Sequence, residues 1–239
     1  MGQHGQHRPL VSQARLAVAV ALALGLSAPA AAQDCRLALA LALDVSSSVD
    51  AEEFELQRQG LVGALREPDI AEAILAPGQP PMAMAVYEWS GREQSALIVD
   101  WVLVTDAAVL DGIIAALQAS TRSETRFPTA MGYALGFGAT LLQQAPVCDR
   151  RVIDVSGDGI TNDGFRPQQA YQHFPFDGVT VNGLAVLGAD ERVLNYYLNE
   201  LRHGPGAFVE TAEGYAGFRD AMTRKLFREI NTLVVGGLE

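Results

Sequence analysis

The chain has 239 residues, enough for one large α/β domain or two small ones, and 49% of them are apolar. Its 17 basic and 28 acidic residues give a net charge of −11. Such a surface repels phosphate backbones and excludes nucleic acid as an expected partner. With 23 glycines and 11 prolines, composition does not point to disorder.

Residues 1–32 read as a signal peptide. Arg8 and Arg15 are its only charged residues, and the apolar run Leu16–Leu26 follows. The small-residue stretch Ser27–Ala32 then sets Ala30 and Ala32 for cleavage after Ala32. The run is shorter than the ~20 apolar residues of a membrane span, and Pro29 breaks it. No stable membrane insertion is therefore expected after cleavage, although an uncleaved N-terminal anchor is the alternative. The approach Ala32-Gln33-Asp34 suits a lipidated Cys35 poorly. Cleavage removes two arginines and no acid, which leaves 15 basic against 28 acidic residues and a net charge of −13. The expected location is periplasmic or secreted. The only cysteines, Cys35 and Cys148, both survive cleavage. An even count in an exported chain suggests a disulfide, with two buried thiols as the alternative.

Leu37–Leu43 is a continuous apolar run of strand length, as in a strand buried on both faces of a parallel sheet. Asp50 with Glu53 forms a capping-box pattern, and Phe54, Leu61 and Leu65 recur at helical spacing up to Glu67-Pro68. Met82–Trp89 and Ala96–Val104 are strand-like and flank the turn Ser90–Glu93. A connection that short joins only antiparallel neighbours, so a hairpin is expected. Asp106–Ala119 and Thr129–Gln143 read as helices, the second rich in Ala and Gly and able to pack closely. Arg151–Val155 and Val179–Leu187 read as strands, Glu191–Arg202 as a helix, Phe208–Glu210 as a short strand and Tyr215–Ile230 as the terminal helix. The order β-α-β-β-α-α-β-α-β-α-β-α predicts an α/β fold: a doubly wound, mostly parallel sheet with one antiparallel strand. Ligands on such sheets bind beyond the carboxyl ends of the strands, where strand order reverses.

The chemistry concentrates at those ends. Asp44, Ser46 and Ser48 stand in Asp-x-Ser-x-Ser spacing where the first apolar run stops. One carboxylate and two hydroxyls in a short loop suit a hard divalent cation, Mg²⁺ foremost, with Mn²⁺ or Ca²⁺ as alternatives. Asp158, in Ser156-Gly157-Asp158-Gly159, follows the strand that starts at Arg151. Thr129, after the turn-like Arg126-Phe127-Pro128, offers a third oxygen source. The plainer alternatives are a helix-capping loop for Asp44–Ser48, a helix cap for Thr129 and a turn aspartate for Asp158. Asn162 and Asp163 do not complete a calcium-loop pattern, and His173 and His203 lack metal-ligand spacing. Ser156 is not in a Gly-x-Ser-x-Gly elbow. Trp89 reads as a core or edge aromatic, with a binding rim as the alternative.

Taken in order, Asp44, Ser46, Ser48, Thr129 and Asp158-Gly159 resemble the metal-ion-dependent adhesion site (MIDAS) of a von Willebrand factor A domain. The resemblance covers roughly residues 36–230, and the chain is most similar to a bacterial family of exported A-like proteins catalogued as a domain of unknown function. It implies one A-like domain over 33–239 and a six-stranded sheet of order 3-2-1-4-5-6, strand 3 antiparallel, with helices on both faces. It also implies that the five named residues hold the cation. In that order the strands after Cys35 and before Asp158 are adjacent and parallel, about 4.8 Å apart. Both cysteines then sit at the amino ends of these strands, within disulfide reach.

The function expected from this resemblance is metal-dependent binding of a protein partner that presents a carboxylate, by a monomer with no bond chemistry. One alternative is a magnesium-dependent hydrolase of the haloacid dehalogenase type. That chemistry needs a second acid two residues after the first, and Ser46 occupies the position. A periplasmic small-solute binding protein is the other, though such proteins close two lobes over their ligand.

Overall fold

The computed structural model describes residues 35–232 together with Met1 and Gly2. The leader expected over residues 1–32 lies outside the described residues but for its first two. Six strands form one sheet: β1 Leu37–Asp44, β2 Met82–Trp89, β3 Ser95–Val104, β4 Arg150–Gly157, β5 Val179–Leu187 and β6 Val209–Glu213. Their order is β3-β2-β1-β4-β5-β6. Every pairing is parallel except that of β2 with β3. This is the doubly wound α/β sheet that the sequence predicts, hairpin included.

β1 lies at the centre, and all eight of its residues are buried. Its Leu-Ala alternation divides the two faces. Leu37, Leu39, Leu41 and Leu43 pack with α1 (Ala51–Leu65) and α7 (Phe218–Asn231). Ala38, Ala40 and Ala42 face the side covered by α4 (Met131–Leu142). Small residues on that face let α4 approach closely, and Gly138 shows how closely: a Cβ there would come within 2.6 Å of the Tyr87 hydroxyl. Asp50 caps α1 with the expected capping box to Glu53.

Several boundaries differ from the sequence reading, each for a local reason. Pro68 does not merely end α1 but opens a further helix, α2 (Pro68–Ile74), from its first turn. Pro167 opens α5 (Pro167–His173) in the same way, which places the helix between β4 and β5. α3 runs Ala107–Ala119 behind an Asp106 cap. β4 extends to Gly157, so Ser156 belongs to the strand. The helix expected over 191–202 is a single α turn, α6 (Val193–Tyr196), followed by a π-helical turn, Tyr197–Leu201. The last strand is Val209–Glu213, and a 3₁₀ turn, Tyr215–Gly217, precedes α7.

Cys35 and Cys148 form the expected disulfide, with Cα atoms 4.4 Å apart and 113 positions between them in sequence. The bridge joins the amino ends of β1 and β4, where Leu37 pairs with Arg150. α7 is tied to the sheet by buried charge: Lys225 Nζ lies 2.5 Å from Asp154 Oδ1 on β4 and 3.0 Å from Glu229 Oε1. Asn182 on β5 donates to the same Glu229 oxygen at 2.7 Å. Among the described residues no helix is long and apolar enough to cross a membrane.

Candidate metal centre

β1 and β4 lie side by side at the centre of the sheet, with β2 on one flank and β5 on the other. Their connections leave on opposite faces, which opens a crevice at their carboxyl ends. Asp44 is the last residue of β1 and is fully buried. Its Oδ1 accepts a hydrogen bond from the Ser46 backbone N–H at 2.7 Å, which turns the chain sharply out of the strand. Ser46 Oγ lies 3.1 Å from Ser48 Oγ. Ser48 Oγ donates to Asp158 Oδ1 at 2.8 Å, and Thr129 Oγ1 donates to Ser46 Oγ at 3.2 Å. The five residues singled out in the sequence thus meet in one cluster, supplied by three loops. Ser48 is the exposed member, so the cluster opens to solvent there, while Asp44, Ser46, Thr129 and Asp158 are buried.

The electrostatics of the cluster are unfavourable as it stands. Asp44 Oδ2 and Asp158 Oδ2 are both buried and accept no hydrogen bond. Burial, and secondarily the charge of Asp158, pushes the Asp44 carboxyl up to about 7. Burial also raises Asp158 above the usual carboxylate range. Two buried carboxylates with unfilled acceptor positions, ringed by neutral hydroxyls, form a donor set that fits a hard divalent cation. Among the described residues no cluster of three or more His, Cys, Asp or Glu side chains offers another metal site.

Thr129 is not the cap of α4: the helix begins at Met131, and Ala130 holds the cap position. Its place is set by Asn162, whose side-chain oxygen accepts from the Thr129 N–H at 2.9 Å and whose own N–H donates to the Thr129 carbonyl at 3.0 Å. With the Asp163 N–H also donating to the Thr129 carbonyl at 3.3 Å, Asn162 and Asp163 clamp the threonine loop from the Asp158 side. Ser47 N–H donates to the Phe127 carbonyl at 2.8 Å and joins the first loop to the second. Asp163 itself carries an exposed ion pair to Arg92. Trp89 is fully buried in the core. His173 is exposed, and His203 stacks on Tyr171 at 4.1 Å between ring centroids, so neither belongs to the cluster.

Two supports escaped the sequence reading. Gln57, fully buried on α1, donates from Nε2 to the Asp44 carbonyl at 2.9 Å and accepts from Ser156 Oγ at 3.2 Å. A glutamine in phase with Phe54 and Leu61 on the apolar face of a helix was the available signal. Arg122 donates to the Val45 and Ser46 carbonyls at 3.1 and 2.9 Å, bracing the first loop from behind. Nothing local in its loop marks that role.

The fold is similar to that of von Willebrand factor A domains. An A-type protein from Catenulispora acidiphila superposes with a TM-score of 0.61 at 15% identity, covering 84% of this chain and 44% of that one. The chain belongs to the family described as "Protein of unknown function (DUF1194)", matched over residues 34–234. The PilB minor pilin of Streptococcus sanguinis matches with a TM-score of 0.61 at 13% identity, over 85% of this chain and 63% of the pilin. Proximal thread matrix protein 1 from the mussel byssus, in a structure with a zinc-occupied MIDAS motif, matches at 0.57 and 14% identity, over 81% and 48%. The chain spans about half the length of most of these proteins. No curated protein is significantly similar in sequence.

Proposed function

We propose that the protein is an exported, metal-dependent protein-binding module of the adhesion type, acting as a monomer and performing no bond chemistry. Asp44, Ser46, Ser48, Thr129 and Asp158 would hold the cation, with Mg²⁺ the best match to an all-oxygen set. The observation that carries this reading is the meeting of three hydroxyls and two buried carboxylates, each carboxylate with one unpartnered oxygen, at the mouth of the crevice. When bound, the cation supplies a coordination position for an acidic group of the partner. Neutral hydroxyls around it preserve its pull on that group, because few charges are spent inside the site. Gln57, Asn162 and Arg122 hold the three loops in place beforehand.

The A-type fold of pilus and byssus proteins supports a binding role for this chain. A phosphohydrolase reading is disfavoured by Ser46, which stands where the leaving group needs an acid. The disulfide supports an oxidising, extracytoplasmic location. A pull-down from periplasmic extract tests the reading. Partner capture is expected with Mg²⁺ and is abolished by chelator and by Asp44→Ala. Capture that survives both, from a folded variant, contradicts it.

A further inference from the structure

Tyr197 is fully buried, yet its hydroxyl has no hydrogen-bond partner. Buried phenols normally find one, and phenylalanine would fill the same space without the penalty. The location of this hydroxyl gives the reason. A Cβ added to Gly157 would lie 2.6 Å from Asp44 Oδ2 and 3.0 Å from the Tyr197 hydroxyl. The two distances together bound the separation of these unpartnered oxygens at about 5.6 Å. One water, with two hydrogen bonds of about 2.8 Å, spans a gap of up to that length. A side chain at position 157 would collide with both groups.

The ring is keyed into place as well. It lies over Gly183 of β5, where a Cβ would approach its Cδ1 to 2.6 Å. Tyr197 also opens the π-helical turn, its carbonyl accepting from Arg202 N–H at 3.0 Å. Such turns are rare and concentrate at functional sites.

We propose that Tyr197 is a positioning residue of the metal centre: through one bridging water, its hydroxyl orients Asp44 Oδ2 for the cation. The proposal rests on Asp44 being a cation ligand, as proposed above. Outer partners of this kind typically change metal affinity by about 10–100-fold.

Calorimetric Mn²⁺ titration of the wild type, Tyr197→Phe and Tyr87→Phe tests it. Tyr87 also has a buried hydroxyl, but it is satisfied by the Ala134 carbonyl at 3.0 Å. Tyr197→Phe is expected to weaken Mn²⁺ binding at least about 10-fold. Tyr87→Phe should lower the midpoint and leave affinity alone. Mn²⁺ should also produce a near-ultraviolet tyrosine difference band that disappears in Tyr197→Phe. Wild-type affinity in Tyr197→Phe overturns the proposal and leaves the metal reading standing. A wild type that binds no Mn²⁺ overturns both.

Discussion

Replacing Asp44 with asparagine should stabilise the metal-free protein while abolishing its response to metal. The Asp44 carboxyl titrates near 7 rather than at its ordinary 3.8, chiefly because it is fully buried. A carboxyl raised on folding binds its proton more tightly in the folded state. Its contribution to stability is therefore complete at low pH and is lost as pH climbs from about 4 through about 7. At about 1.36 kcal/mol per pH unit, holding the group ionised at pH 8 costs about 4 kcal/mol. The asparagine side chain keeps an oxygen for the Ser46 N–H and carries no charge. In chelator-treated protein at pH 8, Asp44→Asn should gain up to about 4 kcal/mol, an increase of roughly 8–16 °C in Tm for a domain of this size. At pH 4 the two proteins should differ little. Adding Mg²⁺ should raise the wild-type midpoint and leave the variant unmoved. Thermal unfolding of both proteins at the two pH values, with and without Mg²⁺, measures each of these differences. If the metal-free variant is the less stable protein at pH 8, then Asp44 is not an uncompensated charge and the electrostatic reasoning fails.

Removing the disulfide should lower stability without touching the site. The bridge spans 113 positions, for which chain entropy gives about 4–5 kcal/mol. The Cys35→Ser/Cys148→Ser pair should unfold at lower urea yet bind Mg²⁺ with wild-type affinity, since the bond lies at the opposite end of the strands. Lys225→Met should cost about 3–5 kcal/mol, because it leaves Asp154 and Glu229 buried without their cation. That loss should be larger at pH 8 than at pH 5, because burial holds the Asp154 carboxyl well above the usual carboxylate range and lets it take up a proton as pH falls. Equal losses at the two pH values would contradict the ion-pair account.

What could be read from sequence followed from how local each signal was. Asp44, Ser46 and Ser48 share one loop behind an unbroken apolar run, so strand end and oxygen spacing are visible together. Asp158 was legible for the same reason, although its strand runs on to Gly157. Thr129 was found, but Phe127 and Pro128 before it say nothing of how it is held, and the clamp by Asn162 joins residues 33 positions apart. Gln57 is marked locally by its place on an apolar helix face, but its partner Ser156 lies 99 positions away, and Arg122, 77 positions from Val45, leaves no local pattern. α2 and α5 have seven residues each, too few to establish a helical period, and both begin at a proline that reads as a stop. The turn at Tyr197 closes with an i→i+5 hydrogen bond and matches no amphipathic template.

The central claim is that Asp44, Ser46, Ser48, Thr129 and Asp158 together hold one divalent cation. Anomalous diffraction from crystals of the protein grown with Mn²⁺ tests it most directly. The account predicts a single strong peak at the carboxyl ends of β1 and β4, within about 2.0–2.4 Å of oxygens from at least three of the five residues. The same peak should be missing from Asp44→Ala crystals. A peak elsewhere, or none at saturating Mn²⁺ in wild-type crystals, would contradict it.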